Sequence, residues 1–270
     1  MIDFHVHSDY SADAKNTMKE MAASAARRGI THLCFTDHVD IGHKHREFAR
    51  FPNKEYITEE FAEASAKSKV NLYLGLEIAD NFRKRDIIVS ELKYWKLDYH
   101  LLSLHMVDGT DCYDARYFQR RPREKTYRLY LEALLESAVN FPDYDGFAHI
   151  GYCGRYAPYL PKSENPLRYS DGEDVIDEIL KTLINRDKAL EINGSGLLRG
   201  SVTMPETTIL RRYRELGGEN IITGSDAHRS IDSGKPIREC YELAQSLGFK
   251  YVCRYENRVR FMESIEKALE

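Results

Sequence analysis

Cysteine is scarce in this chain, with five in 270 residues. Cys34, Cys112, Cys153, Cys240 and Cys253 are widely spaced and form no Cys-x-x-Cys pair. Their number is odd, so neither a disulfide framework nor a thiolate zinc knuckle is indicated. No run of about 18 apolar residues occurs, and the first residues read as a strand rather than a basic and then apolar leader. A cytoplasmic, soluble protein without a membrane partner is therefore expected. Neither sign of charge dominates, and a formal net charge of -4 gives no bulk attraction for nucleic acid. A local basic cleft, such as the stretch from Arg116 to Arg123, could still exist. Low-complexity linkers and fixed-period repeats are also missing. With 42% hydrophobic residues, the chain is expected to form a single domain over residues 1–270.

What the chain does have is histidine in short motifs spread along its length: His5-Val6-His7, Asp37-His38, Ser103-Leu104-His105, Ala148-His149 and Asp226-Ala227-His228. Each closes an apolar run that reads as a buried strand, from Ile2-Asp3-Phe4 at the start to Ile221-Ile222-Thr223 near the end. Two further runs behave alike, Asn71 to Leu76 ending in Glu77 and Ala189 to Ile192 ending in Asn193.

Helical patterns separate these runs. Thr17 to Arg28 stops at Gly29, and Thr58 is placed to cap Glu59 to Lys69. Glu124 to Phe141 is amphipathic; Ser170 and Glu173 spell a capping box ahead of Val175, Ile176, Ile179, Leu180 and Leu183. Pro205 with Gly217, and Pro236 with Gly248, bracket two more helices, and Asn257 to Leu269 reads as a terminal helix. Strand and helix alternate about seven times. That points to a parallel α/β sheet closed into a barrel one unit short of the eightfold form, with an open doubly wound sheet as the alternative.

In such a barrel the C-terminal strand ends share one mouth, which would bring the motifs together. Residues two apart share a strand face, so His5 pairs with His7 and Asp226 with His228. For Asp37-His38, spacing does not choose which side chain enters. The mouth thus offers His5, His7, Asp13, His38, Glu77, His105, His149, Asp226 and His228, an imidazole and carboxylate set suited to zinc, iron or manganese. His32 and His100, near strand starts, face the wrong end. His43 and His45 lie in a polar loop and are read as solvated. Asp40 is either a partner orienting a ligand or an exposed carboxylate. Cys153 has no recognisable base beside it and reads as buried. Tyr113, Tyr117, Tyr152 and Tyr156 could wall a pocket.

The ordered series His-x-His, Thr-Asp-His, Gly-Leu-Glu, Ser-Leu-His, Ala-His-Ile and Gly-Ser-Asp-Ala-His resembles the polymerase-and-histidinol-phosphatase (PHP) superfamily over essentially the whole chain. Gly146 to Tyr156, Ala189 to Arg199 and Leu216 to Arg229 look most like its stand-alone histidinol-phosphate phosphatases. The resemblance implies a distorted seven-stranded (β/α)7 TIM-like barrel holding three divalent metal ions. Carried over by position, His5, His7, Glu77 and Asp226 would hold one ion. Glu77 would bridge to a second held by His105 and His149, and Asp13, His38 and His228 would hold the third. Asp9 is the alternative to Asp13.

The implied activity is metal-dependent hydrolysis of a small phosphorylated substrate, L-histidinol phosphate giving L-histidinol and phosphate in histidine biosynthesis. A hydroxide bridging the metals would attack phosphorus, with Asp226 or His228 as proton shuttle. Arg155 and Arg199 are the candidate phosphate-binding cations, with Asn193 and Ser195 adding neutral hydrogen bonds. The rivals are a PHP-type phosphodiesterase or exonuclease, for which Arg116, Arg120, Arg121, Arg123 and Arg128 are the support, a phosphatase for another small monoester, and a non-catalytic module. Nucleic acid is not the expected partner, and no feature sets an oligomeric state.

Overall fold

The apolar runs that precede the histidine motifs are strands lying side by side in a computed structural model that describes residues 1–119 and 121–270. The chain runs β1 (Ile2–Val6), α1 (Met18–Ala26), β2 (His32–Val39), α2 (Lys54–Lys67), β3 (Asn71–Ala79), α3 (Arg85–Leu92) and β4 (Tyr99–Ser103). A small hairpin, β5 (Met106–Val107) and β6 (Thr110–Asp111), leads to α4 (Ala115–Phe118), α5 (Arg123–Asn140) and β7 (Gly146–Phe147). Then come α6 (Glu173–Asn185), β8 (Ala189–Asn193), α7 (Thr207–Glu215), β9 (Ile221–Gly224) and α8 (Ile237–Ser246). A second hairpin, β10 (Tyr251–Glu256) and β11 (Val259–Ser264), precedes α9 (Ile265–Leu269).

Seven strands pair in the order β1-β2-β3-β4-β7-β8-β9, each parallel to its neighbour. The two outer strands meet without a regular ladder. The Asp226 N–H donates to the His5 carbonyl at 2.8 Å and the His7 N–H to the Ala227 carbonyl at 3.0 Å. This nearly closes the barrel, as expected, and does so next to the histidine motifs.

One strand departs from simple alternation. The β1–β2 register moves from Asp3 opposite Leu33 to Val6 opposite Phe35, so β1 carries one extra residue. Such a bulge turns side chains locally. Here the Asp3 carboxylate accepts the Ser225 and Gly234 N–H groups at 2.8 and 3.0 Å, while His5 turns to the mouth.

Three sequence-based boundaries differ. Asn53, not Thr58, caps α2, its side chain accepting from the Tyr56 N–H; the Thr58 hydroxyl donates to the Lys54 carbonyl at 2.7 Å from within the helix. Ser170 lies in a short 3-10 turn, and α6 begins after Gly172 without a side-chain cap. Asp171 accepts the Arg168 N–H at 2.8 Å instead.

The third difference is larger, because most of the expected terminal helix is the hairpin β10–β11. Asn257 and Arg258 take φ values of 48° and 66°, the left-handed pair that a tight two-residue hairpin requires. The hairpin seals the end of the barrel opposite the histidines. Tyr255 stacks on Tyr99 at 5.1 Å, and Arg258 pairs with Asp143 and Asp145 at the foot of β7. His100, at the start of β4, accepts from the Arg258 guanidinium at 3.1 Å. His32 stacks on Tyr73 at the start of β2. Both histidines therefore belong to the far end.

Candidate metal centre

Glu77, at the end of β3, is buried at the middle of the mouth. Its Oε1 faces His149 Nε2 at 2.8 Å and His105 Nε2 at 3.1 Å. Its Oε2 faces His38 Nδ1 at 2.9 Å, His5 Nε2 at 3.4 Å and His7 Nε2 at 3.6 Å. Five imidazoles thus divide between the two oxygens of one carboxylate. Asp226 Oδ1 lies 3.5 Å from His7 Nε2, and Asp13, on the exposed rim, lies 3.2 Å from His228 Nε2. All nine expected residues come together. Their donor atoms fall into overlapping groups: His5-His7-Asp226, His5-Glu77-His149, His38-Glu77-His105 and His7-His38-His228. Asp9 is exposed and does not line the cleft.

The second row of partners fixes where the ring protons sit. His5 Nδ1 is 2.6 Å from Glu191 Oε1, and His105 Nδ1 is 2.6 Å from Asp40 Oδ1, so each donates there. His228 Nδ1 donates to the Asp226 carbonyl at 3.0 Å. The Ser11 hydroxyl donates to Asp37 at 2.6 Å and so accepts from His7 Nδ1 at 3.1 Å. Every one of these four rings presents Nε2 to the mouth. His5 Nε2 and His7 Nε2 are 3.1 Å apart, and only a cation, proton or metal ion, can sit between two such lone pairs.

The electrostatics express the same demand. Burial disfavours imidazolium, yet the carboxylates outweigh it: Glu77, with Asp40 and Asp13, pushes His38 up to about 9. His5 and His105 are also held well above the usual range, against burial, by Glu191 and by Asp40 with Glu77. Burial, together with His228 and His38, pushes His7 down. Burial would raise the Glu77 and Asp226 carboxyls, but the surrounding histidines hold both well below their ordinary range. His38 Nδ1 and Glu77 Oε2, although 2.9 Å apart, lack hydrogen-bond geometry and have no other hydrogen-bond partner among the described residues. A thiolate-free set of imidazoles and carboxylates with unpaired donor atoms fits divalent cations such as zinc, manganese or iron.

The open pair is resolved by position. His38 enters the mouth, whereas buried Asp37 turns back to accept the Ser8 N–H, the Ser8 hydroxyl and the Ser11 hydroxyl at 2.8, 2.7 and 2.6 Å. Asp40 is buried and orients His105. Glu191 is not legible as a site residue in the sequence because its partners, His5 and His149, are distant along the chain; a carboxylate in a buried strand near Asn193 is the available signal. Two of the gathered residues have left-handed backbones, His149 at φ 23° and Asp226 at φ 51°. Non-glycine residues hold such conformations where surrounding structure enforces them.

The cleft above this cluster has a volume of ≈ 700 Å³. Arg155 lines it, donating from Nη1 to Asp226 Oδ2 at 3.0 Å and to Ser195 Oγ at 3.2 Å. Arg199 and Ser195 line it too. Asn193 does not: it is fully buried, accepting from the Ser195 N–H and hydroxyl and donating to Glu191. Tyr113, Tyr152 and Tyr156 form an aromatic wall, but Tyr117 is buried elsewhere, its hydroxyl donating to the Thr126 carbonyl. His43 is not solvated, since Asp111 of β6 holds its Nε2 at 3.1 Å and Phe48 packs beside it. His45 remains exposed. Cys153 is buried, and burial pushes its thiol up.

The arginine stretch is ion-paired or tied to backbone. Arg116 binds Asp114, Arg121 the Tyr117 carbonyl, Arg123 Asp171, and Arg128 both Glu132 and Asp174. Arg120 lies outside the described residues. Among the described residues no helix is long and apolar enough to cross a membrane.

A metal-binding barrel with this order of donors defines a class, and the sequence matches the PHP domain family model over residues 3–195. The chain belongs to the PHP domain family. Among its relatives is a histidinol-phosphatase of Lactococcus lactis, 29% identical over 92% of this chain and 91% of the relative. A Thermotoga maritima protein named a probable histidinol-phosphatase is 30% identical over 93% of this chain and 94% of its own length. The fold matches the crystal structure of the Lactococcus lactis histidinol phosphate phosphatase complexed with zinc, L-histidinol and phosphate, with a TM-score of 0.87 and 26% identity over 96% of this chain and 98% of that one.

Proposed function

We propose that this chain is a histidinol-phosphatase, a metal-dependent phosphomonoesterase that converts L-histidinol phosphate to L-histidinol and phosphate in histidine biosynthesis. The arrangement of five imidazoles about Glu77 carries the reading, together with the relatives that share the family and cover nearly the whole chain.

His5, His7, Glu77 and Asp226 would hold one ion, Glu77, His105 and His149 a second, and Asp13, His38 and His228 a third. Divalent ions there would neutralise phosphate oxygens and bring the pKa of a bound water towards neutrality. Arg155, with its Nε buried and unpaired among the described residues, has donors left for a phosphate oxygen. Arg199 supplies a second cation from the rim, and Ser195 a hydroxyl. Asn193 acts through Ser195, which it holds by two hydrogen bonds. Asp226 or His228, 3.6 Å apart at Oδ1 and Nδ1, would serve as the proton shuttle to the leaving oxygen. Tyr113, Tyr152 and Tyr156 offer flat faces to an imidazole-bearing leaving group. Five buried free cysteines accord with a cytoplasmic setting.

The test is a panel on metal-loaded protein: L-histidinol phosphate, other small monoesters, a phosphodiester and single-stranded DNA. Preference for L-histidinol phosphate is expected. Preference for the diester or DNA would overturn the reading in favour of a PHP-type nuclease.

A further inference from the structure

Glu191 is fully buried on β8, and its two oxygens have separate partners. Oε1 lies 2.6 Å from His5 Nδ1, and Oε2 accepts the backbone N–H of His149 at 2.7 Å. The Asn193 amide donates to both oxygens at 3.3 Å. Space for this meeting comes from Gly224, where a Cβ would lie 2.3 Å from Glu191 Oε1 and 2.5 Å from the His5 Cβ.

We propose that Glu191 is a positioning residue that joins two candidate metal-binding histidines on different strands into one unit. Through Oε1 it keeps the His5 proton on Nδ1 and leaves Nε2 free for a cation. Through Oε2 it holds the His149 backbone at φ 23°, from which Nε2 reaches Glu77 Oε1 at 2.8 Å. The inference rests on the metal-centre reading above.

The arrangement requires a carboxylate, because both oxygens face N–H groups. A glutamine has one acceptor. Turned one way, its amide NH2 would face His5 Nδ1 and move the ring proton to Nε2; turned the other way, it would set donor against donor at the His149 N–H.

The experiment compares wild type and Glu191→Gln, stripped and then titrated with zinc against a chelator, with 15N spectra of the histidine rings and thermal unfolding of the metal-free proteins. The expected result is about 10–100-fold weaker zinc binding in a folded variant, with loss of the His5 Nδ1–H signal seen in zinc-loaded wild type. Wild-type zinc affinity in folded Glu191→Gln would overturn the proposal while leaving the metal centre intact. Should the variant fail to fold, wild type alone decides: zinc-loaded His5 must show a hydrogen-bonded, slowly exchanging Nδ1 proton, and its absence overturns the proposal. Failure of wild type to bind zinc would overturn the metal reading and this inference with it.

Discussion

His105 Nδ1 lies 2.6 Å from Asp40 Oδ1, a contact that links the end of β2 to the end of β4 and turns His105 Nε2 toward Glu77. Asp40→Ala should leave the strands in place but free the ring. Metal affinity or turnover is expected to fall by about 10–100-fold, measured by chelator competition and steady-state kinetics. An unaffected enzyme would show that the contact is incidental.

Glu77→Gln removes the negative charge between five imidazoles while preserving shape. The loss of turnover should exceed the about 10–100-fold expected for an outer partner, and metal content should drop on the same sample. Retained metal with retained turnover would contradict the bridging role.

The pH dependence has a definite sign. In the metal-free protein His38 is raised from 6.5 to about 9 by its carboxylate neighbours despite burial. Its ion pair therefore stabilises the metal-free fold fully below about 6.5, and this contribution disappears as pH rises through about 9. A metal must displace that proton, so zinc affinity should strengthen with rising pH up to about 9, with proton release detectable in weakly buffered solution. Affinity independent of pH between 6 and about 9 would contradict the assignment of His38.

Arg155→Lys keeps a positive charge but loses the planar guanidinium, whose Nη1 reaches both Asp226 and Ser195 and whose buried Nε is unpaired among the described residues. A raised KM for L-histidinol phosphate with lowered kcat is expected. Unchanged values of both would remove Arg155 from the substrate site.

At the far end, Tyr255→Ala deletes a buried ring stacked on Tyr99. Stability should fall by about 3–5 kcal/mol, as read from denaturant unfolding, while activity of the folded fraction persists. A small effect would mean that the hairpin is not a structural plug.

The strands and most of the mouth were legible because each motif is local: a buried apolar run followed within a few residues by His5, His38, Glu77, His105, His149 or Asp226. Their orienting partners were not. His5 and Glu191 are 186 positions apart, and His105 and Asp40 are 65 apart. Asp37 and His38 could not be ranked from spacing because the choice is made by Ser8 and Ser11 of another loop. His43 looked solvated for the same reason, its partner Asp111 arriving from β6. The terminal hairpin is not legible because Met262, Ile265 and Leu269 satisfy a helical spacing; the left-handed turn at Asn257 and Arg258 decides for strands over Val259–Ser264.

The most direct measurement of the central claim is metal titration of chelator-stripped protein, following L-histidinol phosphate hydrolysis and bound metal on the same sample. Activity should be lost on stripping and return in full only when more than one equivalent, and up to three, has bound. Full hydrolysis by metal-free protein, or by protein holding fewer than two ions, would contradict it.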